Sequence, residues 1–155
     1  MQPIPTKQVA AHLRALLKKA FPTTKFSVTC PKGTGAWIDV RWTDGPHERD
    51  VRRITAPAQD ANWDDAYDTS STLTVTVDGH EVTGRPVLDG ISHNRAISPA
   101  VKREAAALWS AAHDGADPAR CSMTGPFRCN GQHIDAGWPR NQVEQIATRV
   151  LLAHT

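Results

Sequence analysis

At 155 residues, 39% hydrophobic and 22% charged, with eleven prolines and ten glycines, the chain has the composition of one turn-rich globular domain. It holds no run of 18 apolar residues, so no membrane-spanning segment is expected. The first residues carry no charged start, apolar centre and small-residue cleavage site, so the expectation is no secretory signal peptide and a cytoplasmic address.

The net charge of +2 conceals a segregation. Residues 1–53 hold ten Lys or Arg against four Asp or Glu, residues 54–99 hold two against seven, and residues 100–155 hold six against five. A folded domain with this distribution presents a dipolar surface able to orient a partner, unless the acidic middle packs beside the basic start and cancels it.

Thr6 is placed to cap a helix from Lys7 to about Ala20, with Val9, Leu13, Leu16, Leu17 and Ala20 on one stripe. Lys18 and Lys19 in the last turn suit the helix dipole, and Pro22 closes the element. KFSVTC then alternates, with Phe26, Val28 and Cys30 opposite Lys25, Ser27 and Thr29. After a Pro-Lys-Gly-Thr-Gly turn, AWIDVRW alternates again. Ala36, Ile38, Val40 and Trp42 share one face; Trp37, Asp39 and Arg41 share the other. Two such strands around a glycine turn predict an antiparallel hairpin whose apolar face receives the first helix.

Asp44-Gly45-Pro46 makes a corner, and Pro46 is expected at the first position of a short helix to about Thr55. Val51 and Ile54 would dock that helix, leaving Arg49, Arg52 and Arg53 outward. Ala56 to Ser70 has no period and reads as a loop containing Trp63, Asp64, Asp65, Tyr67 and Asp68. TLTVTV, the Asp78-Gly79 turn and a return from His80 to Gly84 predict a second hairpin. A weak strand signal covers Leu88 to His93. Ser98-Pro99 opens a helix to about Ala112, with Val101, Ala105, Leu108, Trp109 and Ala112 apolar. Asp114 to Gly137 is turn-rich, and Asn141 with Glu144 forms a capping box for a closing helix. The fold class expected is α+β: an antiparallel sheet with helices mainly on one face, plus a turn-rich C-terminal segment and helix. Residues 1–113 read as the main domain and 114–155 as an extension packed on it.

Chemistry is sparse. His113, Cys121, Cys129 and His133 offer two imidazoles and two thiolates, enough for tetrahedral zinc, although the C-x7-C and C-x3-H spacings match no familiar finger. A Cys121–Cys129 disulfide is an alternative in an oxidising compartment only. Cys30 reads as a core thiol. Asp89, Ser92 and His93 are acid–base residues without a nucleophile elbow, and neighbours on a strand point apart. Gly33-Thr-Gly35 lies in a hairpin turn, not in a phosphate-binding loop between strand and helix. No catalytic residue and no cofactor is therefore assigned. The candidate binding surface is Trp37, Arg41, Arg49, Arg52, Arg53, Lys18 and Lys19, able to touch phosphates and stack a base if these residues share a face.

LLKKAFPTTKFSV (Leu16–Val28) followed by WIDVRWTDGP (Trp37–Pro46) resembles a small domain associated with large polyvalent proteins of phages and conjugative elements, the type numbered 29. In that family a helix ends in K-x-A-F-P, a K-F-S-V strand follows, and a later strand ends in W-T-D-G-P before a short helix. Lys19 to Val28 and Ile38 to Pro46 match closely. Asn94-Arg95-Ala96-Ile97-Ser98-Pro99 and the alanine-rich helix after it fit more loosely, carrying the resemblance over residues 7–113. Where the family often has F-x-G-M-x-D, this chain has Asn62 to Asp68. The resemblance implies a mobile-element context, protection of the element or modification of host processes, with no catalytic residues to transfer. The expected function is a non-enzymatic accessory protein that binds a host protein. Nucleic-acid binding through the basic first third is the alternative, and an enzyme using the acidic loop is the third reading.

Overall fold

The computed structural model describes residues 2–61, 72–115, 128–129, 132–133 and 145–151. The chain divides into two compact units, residues 1–96 and residues 97–155.

Among the described residues the first unit holds six strands and two helices: β1 (Pro3–Ile4), α1 (Thr6–Ala20), β2 (Ser27–Thr29), β3 (Trp37–Thr43), α2 (Glu48–Asp60), β4 (Leu73–Val77), β5 (His80–Pro86) and β6 (Gly90–Ala96). They form two three-stranded sheets, ordered β1-β5-β4 and β2-β3-β6. The α+β class expected from the pattern is the class observed. Each sheet is mixed: β4–β5 and β2–β3 run antiparallel, while β1–β5 and β3–β6 run parallel. Parallel neighbours need a long crossover, and α2 with the β4–β5 hairpin supplies it between β3 and β6. Alternation gives a strand its faces but not its direction, which is why the pattern alone suggested only antiparallel pairing.

α1 buries Val9, Leu13 and Leu17 against the inner residues Val28, Ile38, Val40, Trp42 and Ile91. Thr6 does not cap it. Pro5 stands at the cap position, its carbonyl accepting from the Gln8 and Val9 amides, and the Thr6 hydroxyl instead donates to the Val87 carbonyl at 2.7 Å. α2 begins later than Pro46 and ends later than Thr55. His47 is its cap, Nδ1 accepting from the Arg49 amide at 3.0 Å. The helix then continues through Pro57, because Thr55, Ala58 and the following Ala61 are buried. That burial offsets the missing amide of an interior proline. Residues 62–71, the rest of the predicted acidic loop, lie outside the described residues.

The second hairpin is as expected, with Asp78 and Gly79 both at positive φ between β4 and β5. The weak signal near Leu88 becomes β6, a full seven-residue strand.

In the second unit α3 (Pro99–Ala112) is capped by Ser98, whose hydroxyl accepts from the Val101 amide, and Ala105 and Trp109 are its buried residues. Arg128–Cys129 (β7) and Gln132–His133 (β8) form a two-stranded antiparallel ladder. A closing helix, α4, covers residues 145–151, with Ala147, Val150 and Leu151 buried. The Asn141/Glu144 capping box lies outside the described residues. No described helix is long and apolar enough to cross a membrane.

Candidate functional site: the open face of the β2-β3-β6 sheet

Strand parity divides the second sheet into two unlike faces. One carries the core residues and receives α1 and α2. The other is the register set Ser27 and Thr29 on β2, Trp37, Asp39, Arg41 and Thr43 on β3, and Gly90, Ser92, Asn94 and Ala96 on β6. Most of these residues are exposed, and Trp37 keeps 42% of its surface free.

At the centre of this face sits Asp39, only 6% exposed. Its carboxylate accepts from Ser92 Oγ and Asn94 Nδ2, each at 2.8 Å, and from Arg41 Nε. Burial alone would raise the Asp39 carboxyl. The three hydrogen bonds, together with the Arg41 charge, outweigh it and hold the group below its ordinary value. The acid is thus a charged brace, fully engaged, and is not free to act as a proton donor. Arg41 is bound through Nε while its side chain stays 69% exposed, so the guanidinium is oriented but reachable.

Trp37 is positioned by a glycine. A Cβ on Gly90 would come within 2.6 Å of the indole, so only the bare backbone lets the ring lie there. Nearby, the Asp89 carboxylate accepts from the Ala36 amide at 2.7 Å and anchors the start of β3.

Three shallow hollows run across this face and around the β2 edge. The first, about 360 Å3, lies among Trp37, Asp39, Arg41, Ser92 and Asn94. The second, about 730 Å3, shares Arg41 and Asn94 with it and extends to Lys25 and Arg95. The third, about 390 Å3, shares Lys25 and Phe26 with the second and reaches Arg14 and Lys18.

The predicted binding residues therefore do not form one surface. Trp37 and Arg41 lie on the open face, and Lys18 reaches its rim. Arg49, Arg52 and Arg53 belong to α2, on the covered side. Arg52 pairs with Glu48 at 2.6 Å, and Arg49 lies 3.9 Å from Asp50. Arg53 and Lys19 are exposed on the two helices. Asp39, Ser92 and Asn94 are residues of this face outside the predicted binding set. Their signal was the parity of GISHNRA read against that of WIDVRWT.

His93 faces the other way, into the seam with α2. Its Nε2 lies 2.8 Å from the Thr55 hydroxyl, and Nδ1 is buried without a partner among the described residues. Of the zinc candidates, His113 stacks on Trp109 with ring centroids 4.1 Å apart, and its Nδ1 donates to the Trp109 carbonyl at 2.8 Å. Cys121 lies outside the described residues, as do the side chains of Cys129 and His133. Among the described residues no cluster of three His, Cys, Asp or Glu is arranged to hold a metal.

The profile of the family described as Large polyvalent protein associated domain 29 matches residues 4–98. The chain belongs to that family. No curated protein and no solved structure matches it. The match ties this chain to a domain type associated with phages and mobile elements.

Within the polyvalent protein associated domain, the two segments that marked the family on sequence meet in space. Arg95, from N-R-x-x-S-P, donates to the carbonyls of Asp44 and Gly45 in W-T-D-G-P at 3.1 and 3.0 Å. The Asp44 amide donates to the Ala96 carbonyl, and Trp42 Nε1 donates to the Pro46 carbonyl at 3.0 Å. Asp44 and Gly45 both have positive φ, and a Cβ on Gly45 would strike Thr24 at 2.7 Å. These residues build the end of the sheet in this chain.

Proposed function

We propose that this domain is a non-enzymatic binding module of a phage or other mobile element, and that it holds a host macromolecule on the open face of the β2-β3-β6 sheet. One observation carries the reading: an exposed tryptophan and a braced, reachable arginine stand on a face whose central carboxylate is already neutralised by its own partners. Trp and Arg are the side chains that most often dominate binding energy when they are held in place. A host protein is the partner class that the dipolar charge distribution favours, and nucleic acid is the class favoured by the basic first third.

The test is affinity capture from host lysate, with and without nuclease, by the full chain and by Trp37→Ala and Arg41→Glu. A partner retained by the parent and lost by both variants supports the open face. A partner held equally by all three, or lost instead by Arg49→Gln and Arg53→Gln, overturns it.

A further inference from the structure

We infer that the occupant of the open face is single-stranded nucleic acid, with one base laid on the Trp37 indole and the phosphate chain led past Arg41 and Lys25 toward Lys18. This rests on the reading above and names its partner class.

Charge complementarity makes the first part of the case. The three hollows share lining residues in succession, and Asp39 is the one carboxylate among those residues. Its charge is answered by Arg41 at hydrogen-bonding distance. What remains along the track is mainly basic: Lys25 and Lys18 are exposed, and Arg14 and Arg95 donate to backbone carbonyls, Arg95 with the Asp44 charge nearby. A polyanion that follows this line meets the exposed ammonium groups of Lys25 and Lys18.

The chemistry around Trp37 separates a base from a protein partner. Protein hot spots sit inside an apolar, water-excluding surround. The neighbours of Trp37 in its hollow are mainly polar: Thr34, Asp39, Arg41, Ser92 and Asn94. Val87, the other large exposed apolar residue described in the first unit, is not on this face. A lone aromatic plate among hydrogen-bonding groups suits a base, whose π-face stacks while its edge meets Ser and Asn side chains. Duplex is disfavoured because its bases are already stacked and the face offers no helix or ribbon to enter a groove. β3 is seven residues long, a path of roughly 20 Å at about 3.3 Å per residue, which suits a short single-stranded segment.

Fluorescence anisotropy with labelled dT12 and U12, using the full chain, tests this. Binding is expected in about 20 mM salt and should weaken steeply as salt rises, in the manner of phosphate contacts. Trp37→Ala should weaken it about five- to hundred-fold, the range for loss of one stacked base. Lys25→Gln should weaken it and flatten the salt dependence, and a 12-bp duplex should bind less tightly than either single strand. Arg53→Gln on α2 should leave affinity within about twofold, since no contact is assigned to it. No binding of either oligonucleotide at low salt overturns the inference. So does binding indifferent to Trp37→Ala and Lys25→Gln. If oligonucleotides fail while nuclease-treated lysate still yields a Trp37-dependent protein partner, the nucleic-acid inference falls and the open-face reading stands. If Trp37 and Arg41 matter in neither assay, both fall.

Discussion

Trp42 and Trp37 stand five residues apart on one strand, and the odd spacing sends them to opposite faces of the same sheet. Trp42 is 3% exposed, packs against Phe26 with ring centroids 5.6 Å apart, and donates its indole N–H to the Pro46 carbonyl. Trp37 lies on the bare backbone of Gly90 among polar neighbours. One residue type thus serves construction on the covered face and presentation on the open one. The contrast shows that parity along a strand, and not residue identity, separates what holds this domain together from what it offers to a partner.

The sharpest way to break that contrast is Trp42→Ala. It removes a buried aromatic, leaves a cavity between α1 and the sheet, and strips the Pro46 carbonyl of its donor. A loss of about 3–5 kcal/mol is expected in urea or guanidinium unfolding, enough to unfold a marginal domain. A loss under about 1 kcal/mol would mean that the covered face is not the core.

The covered face is the part most legible from the sequence. Val28, Ile38, Val40 and Trp42 announce themselves by period-two alternation, which needs no information from distant residues. The open face is half legible, since Trp37, Asp39 and Arg41 fall together by the same parity. Its other half is not, because Ser92 and Asn94 acquire meaning only when β6 pairs with β3 in parallel, and that register joins residues 53 apart in sequence. The placement of the α2 arginines is illegible for a related reason. A cluster in sequence says nothing about which side of a sheet its helix covers, and here α2 covers the side away from Trp37. The end of α2 is illegible for the same reason, because the burial that offsets Pro57 is tertiary.

A smaller effect is expected at the brace of the open face. Asp39→Ala leaves Ser92 and Asn94 without their shared acceptor and releases Arg41. It should cost about 1–3 kcal/mol, the desolvation penalty of groups left unpaired, with the lower end favoured because water reaches this face. Asp39→Asn keeps an acceptor and should fall between the two. The folded-state carboxyl is held below its ordinary value, so the charged form contributes stability at neutral pH that is lost as pH falls through the folded value. Thermal unfolding of the parent and both variants at pH 7 and pH 3 reads this directly, and the Ala variant should lose less on acidification.

Acid also acts on the covered side, at the α2–β6 seam. Burial, followed by the nearby Arg52 charge, lowers the His93 pKa below 6.5, partly opposed by Glu48. The Thr55 hydroxyl donates to the Arg52 carbonyl, so His93 Nε2–H donates to Thr55 and Nδ1 is left as an unmet acceptor. The unfolded chain takes up the proton near 6.5 while the folded one resists it. Stability therefore falls as pH drops below about 6.5, with a slope of at most about 1.4 kcal/mol per pH unit from this group. His12, also lowered by burial, adds to the parent's slope in the same direction. Urea unfolding at pH 7.5 and 5.5 should show a smaller drop for His93→Leu than for the parent. An equal drop would remove His93 as a cause.

The smallest stability effect, and the most discriminating, belongs to Trp37→Ala. If the indole is presented and not load-carrying, its removal should change unfolding free energy by no more than about 0.5 kcal/mol, the usual range for surface positions. A cost near that of Trp42→Ala would show that the ring secures the β3–β6 edge, and the two faces would no longer differ in kind. Gly90 sharpens the same point. A methyl group there would sit within 2.6 Å of the indole, so Gly90→Ala must push the ring away or strain the strand. In the parent this should displace Trp37 and weaken whatever the open face binds. In a Trp37→Ala background the clash has no object, and the added methyl should be better tolerated. A coupling between the two substitutions of about 0.5 kcal/mol or more would tie the glycine to the placement of the ring, whereas additive effects would assign Gly90 to the backbone alone.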